Sequence, residues 1–323
     1  MAAATTTTKL VTKPTPPPAP PPAPPRMTLA AVTRGRIVRA PHLVIYGQEG
    51  TGKSTLGSHA PEPIFLDLED GTAHLDVPRF PRPETWPEVL EAIDSLRTGE
   101  HGFRTLVIDT ADRLEALIWA EVCKRAGKQS IEEFGFGGGY TAALDEWRLL
   151  ASRLDGLRTA RGVGSIILAH SHVKTFKNPE AEDFDRYEMK LHQKAGSFMR
   201  EWADAALFAR FEVLVKKGGK NERARGVDTG DQPTRMLCTQ RRAAFDAKNR
   251  LGLPPELPLS WRALQDAITR FHGLRESFEG LVAELPPDLR SMAREKWLES
   301  TGDHDALERL VEKAREMVKE GAV

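Results

Sequence analysis

Residues Gly47 to Ser54 read G-Q-E-G-T-G-K-S. This is the pattern G-x-x-x-x-G-K-[ST], and its residue types have chemical reasons. Glycines let backbone N–H groups turn inward around a polyphosphate. Lys53 can reach the outer phosphates, and the Ser54 hydroxyl can take a place on Mg2+. The expected cradle runs through Gly47, Gln48, Glu49, Gly50, Thr51, Gly52, Lys53, Ser54 and Thr55, and its expected ligand is ATP with Mg2+. The apolar run His42-Leu43-Val44-Ile45-Tyr46 before it reads as a strand, and Lys53 onward reads as the opening of a helix.

Binding alone does not hydrolyse. Hydrolysis needs an acid that organises the metal and a group that orients water. Asp109 ends the apolar run Thr105-Leu106-Val107-Ile108-Asp109 and is expected to hold the metal with Ser54. An acid at the carboxyl end of a parallel strand stands where ligands bind. Capping of the following helix is the plain alternative, and Thr110 or Asp112 can fill that post. Glu69 follows the run Ile64 to Leu68 and is the candidate for orienting water, with Asp67 and Asp70 as competitors. His170 ends the run Ser165 to Ala169 and can sense the terminal phosphate, with His172 as its rival.

These side chains must be delivered to one edge by short, doubly buried strands. The candidates are 42–46, 63–68, 104–109 and 164–169, separated by helices near 86–97, 112–126 and 140–160. Such alternation predicts an α/β fold with a mainly parallel sheet. In the third helix Leu144, Trp147, Leu150, Leu154 and Leu157 form one apolar stripe and read as core. Residues 205–215 and 234–239 predict an antiparallel hairpin added to the sheet, with a long polar tip. After Pro258 the pattern is helical: 261–272, a further turn or two over 274–282, a helix from Pro287 and a last one from Asp303. The expected division is a basic proline-rich arm (1–35), an ATPase core (36–258) and a helical C-terminal region (259–323).

The chain has 323 residues, with 46 basic and 46 acidic side chains, so no whole-molecule field points to nucleic acid. Residues 1–42 carry six cations and no acid, and nine of the twelve residues from 14 to 25 are proline. That arm is expected to be extended and to solubilise, or else to meet DNA or a proline-recognising partner. Cys123 and Cys238 have no metal-ligand spacing and fit a reducing compartment. No apolar run is long enough to span a membrane, and no secretory leader is visible. The expectation is cytoplasmic, which is the host cytoplasm if a phage encodes the chain.

Several of these stretches resemble the RecA-type recombinase core, most closely the small RecA-like ATP-binding proteins that phages encode for recombination and single-strand annealing. They are the phosphate loop, Phe65-Leu66-Asp67-Leu68-Glu69 and Val107-Ile108-Asp109-Thr110, then Gly135-Phe136-Gly137-Gly138-Gly139-Tyr140 and Ala247-Lys248-Asn249-Arg250. The resemblance spans about residues 40–255 and departs at His170-Ser171-His172, where RecA carries a glutamine-bearing segment. It implies a RecA-like P-loop NTPase in which Glu69 is catalytic. Lys248 and Arg250 would then reach the nucleotide of a neighbouring subunit in a ring or filament. A solvated basic turn is the alternative for that pair.

It also implies a single-stranded DNA partner. Residues 172–200 interleave Lys174, Lys177, Arg186, Lys190, Lys194 and Arg200 with Phe176, Phe184, Tyr187 and Phe198. Cations meet phosphates and rings stack on bases, but acids dilute this segment, which reads equally as a structured hairpin. The tip 216–225 is a second candidate. The expected function is an Mg2+-dependent ATPase acting on single-stranded DNA in recombination, annealing or replication. The alternatives are a helicase or packaging motor, and an annealing module with ATP as a structural ligand.

Overall fold

The computed structural model describes residues 27–32, 37–180, 182–216, 225–228 and 234–319. The proline run 14–25 and most of the basic tip, 217–224, lie outside them. Residues Arg39–Val323 form one compact unit.

In chain order the elements are β1 (His42–Gly47), α1 (Lys53–Ser58), β2 (Pro63–Asp67), α2 (Trp86–Thr98), β3 (Thr105–Asp109), α3 (Ala111–Ala126) and α4 (Gly138–Arg161). There follow β4 (Gly164–Phe176), β5 (Phe184–Met189), α5 (Gln193–Trp202), β6 (Ala205–Phe211), β7 (Val213–Lys216), β8 (Arg225–Asp228) and β9 (Arg235–Cys238). The last are β10 (Lys248–Asn249), β11 (Glu256–Pro258), α6 (Trp261–Glu284), α7 (Pro287–Glu299) and α8 (His304–Lys319). The fold is α/β. Among the described residues the main sheet orders β11-β9-β6-β1-β4-β3-β2, with β6, β1, β4, β3 and β2 parallel.

Alternate residues of β1 face opposite sides, and both sides are buried. Val44 and Tyr46 join one apolar cluster with Ile93, Leu114, Trp147 and Leu154 from α2, α3 and α4. Leu43 and Ile45 join another with Leu56, Phe65, Val107 and Leu264, the last from α6. Doubly covered parallel strands read as unbroken apolar runs, which is why their sequences carried no polar alternation. The same packing confirms Trp147, Leu150, Leu154 and Leu157 as core.

Three elements differ from the sequence expectation. β4 runs on past residue 169 to Phe176 and pairs antiparallel with β5, Phe176 opposite Phe184. The rings of these two stand 5.3 Å apart, so they form the small core of a hairpin. The expected strand 205–215 divides at Glu212 into β6, which joins the main sheet, and β7, which pairs with β8. The expected antiparallel return is β9, with Phe208 opposite Cys238. Helix α6 is continuous through Gly273, where a break was expected. Phe271, Phe278 and Val282 keep one face buried against Trp297, Leu307 and Val311, and that burial outweighs the ~1 kcal/mol that one glycine costs a helix.

Candidate nucleotide site

The phosphate loop is bent by necessity. A Cβ on Gly47 would stand 2.1 Å from the carbonyl oxygen of Ala209 on β6, so the close approach of that strand requires glycine. Gly52 adopts φ +95° as the cap of α1, a conformation that L side chains avoid. Lys53 Nζ donates to Gly47 O at 3.0 Å and Gln48 O at 2.8 Å, which spans the loop. Burial lowers the Lys53 pKa, while Asp109 and Asp112 oppose the shift. The first amide to bond inside α1 is that of Leu56, to Gly52 O at 2.9 Å, so the amides before it can meet phosphate oxygens.

The parallel register then brings the expected acids to this loop. Gly47 pairs with His170, Leu168 with Asp109, and Asp109 with Asp67. Ser54 Oγ donates to Asp109 Oδ2 at 2.5 Å, which joins the two residues expected to hold Mg2+. Burial, with help from Asp67 and Glu69, pushes the Asp109 carboxyl up to about 6, against the pull of the Ser54 hydrogen bond and Lys53. A buried carboxylate short of positive charge beside a hydroxyl is an oxygen donor set that suits Mg2+. Asp109 does not cap α3; Thr110 takes that post with extended backbone angles.

Thr110 donates its hydroxyl to Glu69 Oε1 at 2.8 Å, and that hydroxyl accepts no amide of its own helix. Glu69 is thereby held at the mouth, while its competitor Asp67 is consumed. Asp67 accepts from the Glu69, Gly71 and Thr72 amides and from the Thr72 hydroxyl, so it shapes the loop that carries Glu69. Burial alone would raise the Asp67 pKa, yet these hydrogen bonds hold it below its ordinary value. His170 Nδ1 lies 2.8 Å from Asp112 Oδ2, and the His170 amide donates to Asp112 Oδ1 at 3.1 Å. Glu69, Asp112 and His170 approach one another within 4.8 Å. They do not make a Mg2+ site, because Asp112 is spent on His170 and Mg2+ prefers oxygen alone, while Glu69 Oε1 stands 3.9 Å from His170 Nδ1.

Lys53, Ser54, Glu69, Asp109 and His170 line one cavity of about 280 Å3 with a residue that sequence reasoning missed, Arg235. Arg235 Nη1 would stand 2.9 Å from a Cβ on Gly52, so this guanidinium lies against the phosphate loop of its own chain. The signal was faint: one arginine opening the returning strand of a hairpin. Its place follows from the register, which sets Arg235 opposite Phe211, beyond the residue that pairs with Gly47.

Lys248 and Arg250 are not brought to this cavity. β10 pairs with Ala205 and Ala206, at the start of β6, whereas the phosphate loop leaves the opposite edge beside Ala209. Those positions are about 10–14 Å apart along the strand. Lys248 Nζ donates to Glu201 O at 2.5 Å and Ala203 O at 2.6 Å, at the end of α5. Arg250 is exposed.

The sequence matches an AAA domain over residues 39–251, well over half of its length. The chain belongs to that family. The AAA domain therefore contains every residue of the cavity just described, and it ends before α6. Among solved structures the chain is similar to the RadB recombinase, with 13% identity and a TM-score of 0.37 over 70% of this chain and 90% of that one. A comparison with curated proteins finds no match. No helix among the described residues is long and apolar enough to cross a membrane.

Proposed function

We propose that this AAA domain hydrolyses ATP with Mg2+ and couples that turnover to single-stranded DNA, in the recombination, annealing or replication reactions of a phage. Lys53 and Arg235 neutralise the phosphates, and Ser54 and Asp109 hold the metal. A Mg2+ ion held by these residues would offset the charge that develops on the phosphates. Thr110 takes one oxygen of Glu69, and the other orients the attacking water. His170 faces the terminal phosphate from the end of the buried part of β4.

One observation carries the DNA half of the reading. β4 runs unbroken from His170 to Phe176, so the strand that ends at the nucleotide also forms the wall of a second, basic cavity. That cavity, of about 470 Å3, is lined by Lys174, Lys177, Arg186, Arg200 and Arg241 against two acids, Glu188, which stands 3.9 Å from Lys174, and Asp246. Its central acid is Asp246, which meets Arg200 at 3.0 Å, Arg186 at 3.4 Å and Arg241 at 3.9 Å. One carboxylate cannot neutralise three guanidiniums. Arg186 is 5% exposed, and its Nε and Nη2 have no hydrogen-bond partner among the described residues. Phosphate oxygens would satisfy that excess, and the Phe176 ring supports the Arg186 guanidinium from beneath. Tyr46, beside the phosphate loop, donates its hydroxyl to Asp246 O at 2.5 Å and ties the two cavities together a second time.

The exposure of Arg250 away from this cavity supports a ring or filament in which it serves a neighbour's nucleotide, with Lys248 beside it fastened to the end of α5. The test is ATP turnover with and without single-stranded DNA for the wild type, Lys53→Ala, Arg250→Ala and a mixture of the two variants. DNA stimulation is expected, and so is partial recovery in the mixture. Absent stimulation removes the DNA half of the reading, and an inactive mixture removes the shared site.

A further inference from the structure

A cavity of about 380 Å3 adjoins the phosphate cavity and shares Gly52, Thr55 and Arg235 with it. Its far wall is Leu259, Trp261 and Gln265. The geometry points to this cavity as the nucleobase subsite, with the base stacked on Trp261. This makes the C-terminal helical region part of the nucleotide site. The inference rests on the reading of the phosphate loop as a nucleotide site and goes beyond it, because Leu259–Gln265 lie outside the residues that match the AAA domain.

Chemistry sets the direction of the ligand. Asp109, Glu69 and His170 gather at one end of the phosphate cavity, where metal and water act on the terminal phosphate. The ribose and base must therefore leave by the other end. That end opens along α1 at Thr55 and at His59, the residue that caps the helix. Leu259 and Trp261 line the same cavity.

The wall is built, not incidental. The Leu259 amide donates to Arg235 O at 2.9 Å, which fastens the start of α6 to β9. A Cβ on Gly52 would lie 3.8 Å from Leu259 Cδ2, so this wall touches the phosphate loop itself. Trp261 is half-buried against the sheet cluster, and its Nε1 donates to Gln265 Oε1 at 3.1 Å. That bond holds the indole in place. It also spends the Gln265 oxygen and leaves its NH2 to donate to a ring nitrogen or carbonyl of the base. An aromatic face with one fixed polar group, in a cavity of a few hundred Å3, is the usual make-up of a small-ligand site.

The probes are Mg2+ with ATP and Mg2+ with inorganic tripolyphosphate, titrated calorimetrically into the full chain. The variants are Trp261→Ala, Trp261→Phe and Gln265→Ala. Trp261→Ala is expected to weaken ATP about tenfold or more, the scale of one base–aromatic stack, and to leave tripolyphosphate unchanged. Trp261→Phe, which keeps a ring, is expected to restore most of the ATP affinity. Gln265→Ala is expected to lose about threefold to tenfold for ATP alone. Unchanged ATP binding in Trp261→Ala overturns the subsite. An equal loss for both ligands also overturns it, since the tryptophan would then act only through the fold. A wild type that binds tripolyphosphate no better than Lys53→Ala does overturns the phosphate-loop reading, and this inference with it.

Discussion

Asp112 holds His170 by both of its donors, the backbone amide at 3.1 Å and ring Nδ1 at 2.8 Å. The pairing orients the imidazole so that Nε2, not Nδ1, is left for the nucleotide cavity. The hydrogen bond that His170 donates to Asp112 raises the His170 pKa, with burial working against it, and the same pairing holds Asp112 down at about 2 although burial opposes that too.

Asp112→Asn is therefore expected to move the His170 pKa downward, because the amide keeps an acceptor but removes the charge. Imidazole titration followed by NMR reads this directly. The acid side of the turnover profile should shift to lower pH with it. A His170 that titrates unchanged in Asp112→Asn would show that the contact does not govern it.

The raised Asp109 carboxyl sets a pH window for metal binding. Its folded pKa is about 6, above the ordinary 3.8, chiefly through burial, so protons and Mg2+ compete for it below pH 6. Affinity for Mg2+ in the nucleotide complex should be level above that pH. It should fall about tenfold for each unit beneath it. Asp109→Asn should bind Mg2+ weakly and without this pH dependence. A wild-type curve flat from pH 7 to pH 5 would remove the assignment.

Arg235 brings a second cation to the phosphate cavity from the same chain. Arg235→Ala should weaken ATP about tenfold to a hundredfold, the range of one lost charged hydrogen bond. The loss should appear in a protein held strictly monomeric, where Arg250→Ala has no effect on binding. Equal ATP affinity for Arg235→Ala and wild type would place this guanidinium outside the site.

His42 starts the strand that ends at the phosphate loop, and it must stay neutral. It is 1% exposed, stacks on Trp202 at 4.5 Å and shares a 2.7 Å hydrogen bond with Ser165. Burial first, then Arg158, lowers its pKa from 6.5 to about 4, against Asp155 and Asp204. The unfolded chain gains a proton at the higher value, and the folded chain resists it. Stability from this group is thus whole above pH 6.5 and fades as pH falls to 4, by up to roughly 3 kcal/mol. Urea unfolding at pH 7, 5.5 and 4.5 should show a shallower acid decline in His42→Asn. Parallel declines in the two proteins would rule this out.

The parts of the site that were legible in sequence are those fixed by local order. The phosphate loop needs glycines at set positions because its backbone turns tightly. Asp109 and His170 each end an apolar run, and a parallel sheet places such ends along one edge. Helix ends were less legible: Gly273 looked like a break, but the apolar face of α6 is buried on both sides of it. The β4–β5 hairpin was ambiguous because interleaved charges and rings serve a solvated strand pair and a DNA surface equally well.

What the sequence determined by itself was the class of ligand and the acids on offer, since spacing along the chain decides the loop and the strand ends. What only the tertiary structure decided was partnership. Asp67 shapes a loop while Glu69 lines the cavity, because one carboxylate is surrounded by amides and the other is held by Thr110. Arg235 and Trp261 line cavities beside the phosphate loop across more than 180 residues of chain, and Lys248 and Arg250 sit at the opposite ends of the strands. Strand register and the docking of α6 create those distances, and neither is a property of neighbouring residues in the chain.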